Sequence, residues 1–257
     1  MSDLLVEKNN GVLMLTMNRP ESLNAFSEEM ILGLTNALKL AQRDEEIRTV
    51  VISGAGRSFS AGGDVKTMGQ VSGEEVFEHL GHLNECILMM KQLEKPVIAA
   101  VHGFAAGAAF NLALASDLII AEENSQFVMS FSKVGLISDG GGLYFLPRIV
   151  GPYRAKELFF SGEPITAAKA LEYGIVSRIV PLERLKDEVI AFAEKMASGP
   201  AKAIGAMKKI IDHSSCQTLE EVLEQERLTQ SLMVVTKDHQ EGVQAFKEKR
   251  LPQFQGR

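Results

Sequence analysis

The chain has 257 residues, 46% hydrophobic and 23% charged, with a net charge of −6. A chain this long buries roughly 70–75% of its unfolded surface, so it needs no disulfide or metal staple. The acidic balance excludes a general nucleic-acid binder, which requires clustered Lys and Arg, although a small phosphorylated ligand needs only a local basic group. No uncharged apolar stretch reaches the roughly 18–20 residues that cross a bilayer, so no membrane role is expected. The first ten residues lack a basic and an apolar leader region, so no secretory signal is expected. Cys86 and Cys216 stand far apart without partners at metal spacing, which fits reduced thiols in a cytoplasmic protein.

Leu4 to Lys8 and Val12 to Met17 alternate like strands about Asn9-Asn10-Gly11, whose residues tolerate positive φ, and predict a hairpin. A turn-rich loop from Asn18 to Phe26 follows, and Ser27 with Glu28 and Glu29 suits a helix N-terminus. Thr49 to Ser53 is a β-branched strand entering the small-residue loop Gly54 to Val65. That loop fits neither nucleotide-binding glycine pattern, yet its glycines imply close approach of backbone to a ligand or another segment. Glu74 to Glu94 has helical spacing; its His79 and His82 lack a third metal ligand nearby.

Pro96 to Asp117 is the segment around which the chain is organised. Val97 to Val101 is apolar throughout, as in a strand buried on both faces, and from about Ala106 small residues suit a helix. Two readings stand at this point: tight packing against a sheet, or an anion held at the helix N-terminus. Leu118 to Ala121 and Gln126 to Met129 are further strands, and Ser138 to Gly142 is a glycine-rich bend. Tyr153 to Phe160 and Thr166 to Glu172 are helical, and Ile175 to Val180 returns to strand, completing an α/β pattern. After Leu182 helices dominate: Leu182–Ser198, Ala201–Ile211, Leu219–Val235 and His239–Lys249. Thr218 with Glu221, and Asp238 with Glu241, look like capping boxes.

Three stretches carry more together than singly: Asn18-Arg19-Pro20 with Leu23-Asn24-Ala25, then Phe59 to Val65, then the small-residue segment ending at Asp117. In this order they resemble the crotonase family, the enoyl-CoA hydratase/isomerase superfamily, across essentially the whole chain. The resemblance implies a spiral of ββα units over residues 1–198 and a helical C-terminal oligomerisation region over 199–257. A homotrimer or dimer of trimers is implied, acting on acyl-CoA thioesters without a metal or separate cofactor, coenzyme A being part of the substrate. Two backbone N–H groups would bind the thioester oxygen as it becomes an enolate. Carried onto this chain they belong to Ala61 and Ala108, with Gly62 and Gly107 beside them. The resemblance further suggests that Ala25, Asp64 and Val65 line the coenzyme path, and that Phe246 and Lys249 reach its nucleotide end. For Lys249 the other reading is a solvated charge; Arg19 contacts the nucleotide or orders its own turn.

Hydratases of the family hold and activate water with two glutamates, where this chain has Asn111 and Phe131. Asparagine cannot take up a proton near neutral pH and phenylalanine can neither accept nor donate one. Each lost acid–base group removes about 10²–10⁴-fold of rate, so ordinary hydration is expected to be weak. Phe127 to Asp139, with Gly141-Gly142 and Leu146-Pro147-Arg148, is most similar to the isomerase branch that includes ring-epoxide isomerases of phenylacetyl-CoA derivatives. Asp139 is then the expected proton carrier, its pKa raised by apolar neighbours such as Phe131 and Ile137; the other reading is an Asp capping its turn. The leading expectation is an acyl-CoA isomerase. The alternatives are a hydratase with a rearranged site, or a silent oligomeric binder of acyl-CoA or RNA, the last requiring a basic stripe at Lys202, Lys208 and Lys209.

Overall fold

A computed structural model describes residues 2–64 and 72–256. Its main sheet contains β1 (Leu4–Asn9), β2 (Val12–Met17), β3 (Thr49–Gly54), β4 (Val97–Val101), β6 (Leu118–Glu122) and β9 (Arg178–Val180), hydrogen-bonded in that order. Only the β1–β2 hairpin is antiparallel; the remaining pairs are parallel. A smaller sheet joins β5 (Phe104–Ala106), β7 (Gln126–Val128) and β8 (Ile165–Thr166). The expected last strand is shorter than the apolar run: Ile175 and Val176 are buried but precede β9.

Alternation along the central strands assigns their two faces. Val50, Ile52, Val97, Ala99 and Val101 face α1 (Glu28–Arg43) and α2 (Gly73–Gln92) in one core. Val12, Val51, Ile98, Ala100 and Ile120 face Leu185, Val189, Ala193 and Ala197 of α7 (Leu182–Ala197) in a second. A parallel sheet covered on both faces needs such unbroken apolar strands. Ser27 caps α1 by accepting the Met30 N–H at 3.1 Å, as its sequence position suggested.

The helices α4 (Gly142–Val150), α5 (Pro152–Ser161) and α6 (Ala167–Glu172) lie between β7 and β9 in sequence, and α8 (Ala201–Ser214), α9 (Leu219–Met233) and α10 (Lys237–Glu248) form the tail. Thr218 and Glu221 form the expected capping box on α9. The second expected box is absent: Thr236 caps α10, two residues before Asp238. Asp238 is buried and instead accepts the N–H groups of Gln255 and Gly256 at 2.6 and 2.9 Å, drawing the chain end back. Arg48 secures the same segment through the carbonyls of Phe254 and Gln255.

Lys208 is buried too. It donates to the Met90 and Lys95 carbonyls at 2.9 and 3.0 Å and pairs with Asp117 at 2.8 Å, tying α8 to the start of β4. Lys209 pairs with Glu94. The suggested basic stripe is thereby dismantled: one lysine is consumed inside and another is neutralised. Among the described residues there is no cluster of three potential metal ligands, and no helix is long and apolar enough to cross a membrane.

Candidate active site

The site begins where the loop after β3 runs beside the strand preceding α3 (Ala108–Ala115). Ser60 forms a parallel bridge with Ala105, its N–H bonded to the Phe104 carbonyl and its carbonyl to the Ala106 N–H. β5 was not expected from sequence, because three residues broken by glycine on either side carry too little pattern; it starts the loop's alignment with the helix. Gly62 then lies against the helix end. With φ +79°, a Cβ there would stand 2.4 Å from the Ala106 oxygen and 3.0 Å from the Ala108 nitrogen. Only glycine fits so close to another backbone.

In α3 the first intrahelical bond comes from Asn111 N–H to the Gly107 carbonyl, at 3.2 Å. The amides of Ala108, Ala109 and Phe110 therefore precede the ladder, and the positive end of the helix lies at Ala108. The helix is buried along its whole length, which weakens solvent screening of that charge.

Ala61, expected as the second donor, is corrected by the hydrogen-bond pattern. Its N–H donates to the Leu23 carbonyl at 2.9 Å, so it is spent inside the protein. The Gly62 N–H is likewise held, by Ser60 Oγ at 3.0 Å. The Gly63 N–H has no partner among the described residues. Its direction is set indirectly, because the Gly62 carbonyl in the same planar peptide accepts from Phe26 N–H at 2.8 Å. A trans peptide points its N–H opposite its carbonyl, so the Gly63 amide faces away from Phe26. Successive amides in a loop of small residues carry no sequence signal; their bonding partners alone show which is free.

The bend from Ser138 to Gly142 folds over the first turn of α3. Asn111, fully buried, donates from Nδ2 to Ser138 Oγ at 2.9 Å and to the Asp139 carbonyl at 2.8 Å. Gly142 N–H donates to that same carbonyl at 3.0 Å. A Cβ at Gly142 would stand 2.2 Å from Asn111 Oδ1, so the bend closes only with glycine there. One oxygen of the Asp139 carboxyl, Oδ1, is buried and has no hydrogen-bond partner among the described residues. Burial pushes the Asp139 pKa from 3.8 up to about 6, against the smaller opposing effects of its own backbone N–H and Asn111. Ile137 is not a cause, since it is 82% exposed. Phe131 is partly buried against the core, and its ring lies 3.6 Å from where a Gly107 Cβ would be. Position 131 thus brings hydrocarbon to the helix entrance.

Arg19 orders its own loop. Its Nη1 donates to the Ala25 carbonyl at 2.7 Å, and its guanidinium lies 3.6 Å from Asp3 and 3.7 Å from Asp64. Ala25 is 4% exposed and offers a ligand almost no surface. Asp64 retains partial exposure beside Gly63, whereas Val65 lies outside the described residues. Phe246 and Lys249 are exposed at the end of α10. Phe246 lines a groove of about 1080 Å³ between α8, α9 and α10 that contains none of Gly63, Ala108 or Asp139. Sequence reasoning also missed Ser60 and Ser138, whose hydroxyls bond buried backbone or Asn111 near the site.

The parallel main sheet, its flanking helices and the helical tail make this a crotonase fold. An enoyl-CoA hydratase structure from Bacillus anthracis superposes with a TM-score of 0.96 at 34% identity, covering 99% of this chain and 100% of that one. Residues 7–257 match the family described as enoyl-CoA hydratase/isomerase. The chain is 40% identical to the 1,2-epoxyphenylacetyl-CoA isomerase of Escherichia coli (strain K12), with both chains covered in full. It is 36% identical, again over the full length of both, to the 2,3-dehydroadipyl-CoA hydratase of the same organism. The chain belongs to the enoyl-CoA hydratase/isomerase family, which acts on acyl-CoA thioesters.

Proposed function

We propose that this protein is an acyl-CoA isomerase that moves a double bond, or rearranges an aromatic-derived thioester, through an enolate. The observation that carries the reading is the Asp139 carboxyl, its Oδ1 buried and without a partner among the described residues, on a bend tied by Asn111 to the helix that begins at Ala108, at a site whose other two expected acids are Asn111 and Phe131. The Gly63 and Ala108 amides would receive the thioester oxygen. Two preorganised donors stabilise developing negative charge, each by about 3–4 kcal/mol when the site excludes water.

With a 3-enoyl-CoA, the Asp139 carboxylate removes a C2 proton and the electrons pass to the thioester oxygen. The protonated Asp139 then returns that proton to C4, leaving the 2-enoyl isomer. No electron is gained or lost overall, and no separate cofactor enters. A pKa near 6 suits both halves, leaving the group ionised at neutral pH while keeping its conjugate acid strong enough to protonate a dienolate.

Similarity to a hydratase supports a second reading, in which Asp139 alone activates water at a rearranged site. Wild type and Asp139→Asn assayed with crotonyl-CoA, a 3-enoyl-CoA and a ring-epoxide thioester separate the two. The isomerase reading expects isomerisation to fall by about 10²–10⁴-fold in the variant. Wild-type hydration of crotonyl-CoA that outpaces isomerisation would sink it, and loss of that hydration in Asp139→Asn would establish the second reading. We further propose that the protein assembles as a trimer or dimer of trimers in the cytoplasm; the assembly is supported by exposed apolar side chains such as Leu232, Val235 and Phe246 on the tail.

A further inference from the structure

We propose that Asn24 is a positioning residue for the oxygen-binding site, holding the Gly63 amide in its working direction. Asn24 is fully buried and adopts φ +54°, following Leu23 at φ +53°. Asparagine tolerates this left-handed conformation better than most residues. Its Nδ2 donates to the carbonyls of Ala55 and Ser58 at 2.8 Å and of Phe59 at 3.2 Å, while Oδ1 accepts the Arg19 N–H at 2.9 Å. One side chain thus gathers three carbonyls of the loop after β3. The main-chain oxygen of Asn24 accepts from Ser60 Oγ at 2.7 Å, and that hydroxyl in turn accepts the Gly62 N–H.

The residues on either side complete the alignment. Leu23 O holds the Ala61 N–H, and Phe26 N–H holds the Gly62 carbonyl. Every peptide leading to Gly63 is therefore bonded to the 23–26 segment, directly or through Ser60, and the orientation of the Gly63 N–H is inherited from Asn24's conformation. Without the Nδ2 donors, three carbonyls lose their common partner and the loop can rotate its peptides away from Ala108. The side chain itself touches no reacting atom.

This inference rests on Gly63 and Ala108 being the oxygen donors. Its test uses 2,4-hexadienoyl-CoA, a conjugated thioester whose absorption moves to longer wavelength when its carbonyl is polarised. Wild type, Asn24→Gly and Ser60→Ala are titrated with this probe, and kcat and KM are measured with a 3-enoyl-CoA. Asn24→Gly removes the amide while permitting the left-handed backbone; Ser60→Ala breaks the link to Gly62 with little change of volume. The expected result is less than half the wild-type red shift, affinity within a few-fold, and kcat lower by about 10–100-fold, approaching the loss of one preorganised donor. A folded Asn24→Gly with full red shift and unchanged kcat overturns the proposal. If Asn24→Gly does not fold, Ser60→Ala decides in the same way. Absence of any red shift in wild type removes the oxygen-donor reading, and this inference with it.

Discussion

The side-chain amide of Asn111 donates to the main-chain oxygen of Asp139 at 2.8 Å, joining the helix that presents Ala108 to the bend that presents the carboxyl. The contact makes position 111 structural: both of its amide hydrogens are directed at Ser138 and Asp139. Its consequences are testable on both segments.

Asn111→Asp keeps the shape but sets a carboxylate against the Asp139 carbonyl, which cannot donate. The unmade bond should cost about 1–3 kcal/mol. A second negative charge near Asp139 should raise its pKa further. The expected outcome is a lower melting temperature and an acidic limb of kcat/KM displaced to higher pH, read from paired thermal and pH–rate measurements.

For wild type, kcat/KM should decline tenfold per unit as pH falls below about 6, because protonating Asp139 removes the base. The limb should vanish from whatever activity remains in Asp139→Asn. A profile flat to pH 5 would exclude Asp139 as the base.

Stability should run the other way. The pKa of Asp139 is higher in the folded protein than its ordinary 3.8, so the native state binds the proton more tightly. Stability therefore decreases as pH rises from about 4 to about 6, and the full penalty persists above that window. Asp139→Asn removes a buried charge with no partner on Oδ1 and should stabilise the protein at pH 8 by about 1–2 kcal/mol, after discounting for partial solvent access. Denaturant midpoints at pH 8 and pH 4 check this: the gain belongs to pH 8.

Gly62→Ala should abolish turnover and lower stability by several kcal/mol, since the added carbon meets the Ala106 oxygen at 2.4 Å and its φ of +79° disfavours any side chain. Near-wild-type kcat in that variant would contradict the close approach of the loop to α3.

Asp117→Asn tests the tail anchor. It leaves Lys208 buried beside a neutral partner while keeping an acceptor for the Val97 N–H now held at 2.7 Å. Burial already disfavours the charged forms of both groups, raising the Asp117 pKa and lowering that of Lys208. Breaking the pair should cost about 2–4 kcal/mol, measurable by denaturation. A Lys208→Met, Asp117→Leu double variant should recover part of that loss.

Strand and helix periodicity was legible because burial selects side chains at every second or fourth position. Val97 to Val101 reads as a strand covered on both faces, and the structure divides its residues between two cores. The helix after it was legible in type but not in onset: glycine and alanine supply no amphipathic edge, and the strand Phe104–Ala106 intervenes. Asp238 misled for a related reason. An acid three residues before another suits a cap, but Thr236 is the cap and Asp238 binds a chain end 17 residues away.

By itself the sequence determined the α/β class, the family resemblance, a small-residue helix after Val97–Val101, and the chemistry that Asn111 and Phe131 withhold. These are properties of side-chain type and spacing. Tertiary structure alone decided that the Ala61 amide is consumed by Leu23, that the Gly63 amide has no partner among the described residues, and that Arg19 is neutralised by Asp3 and Asp64. It also decided that one carboxyl oxygen of Asp139, Oδ1, is buried without a partner among the described residues. Which backbone amide is free, and how far a carboxyl is desolvated, depend on segments distant in sequence meeting in space; no local pattern records them.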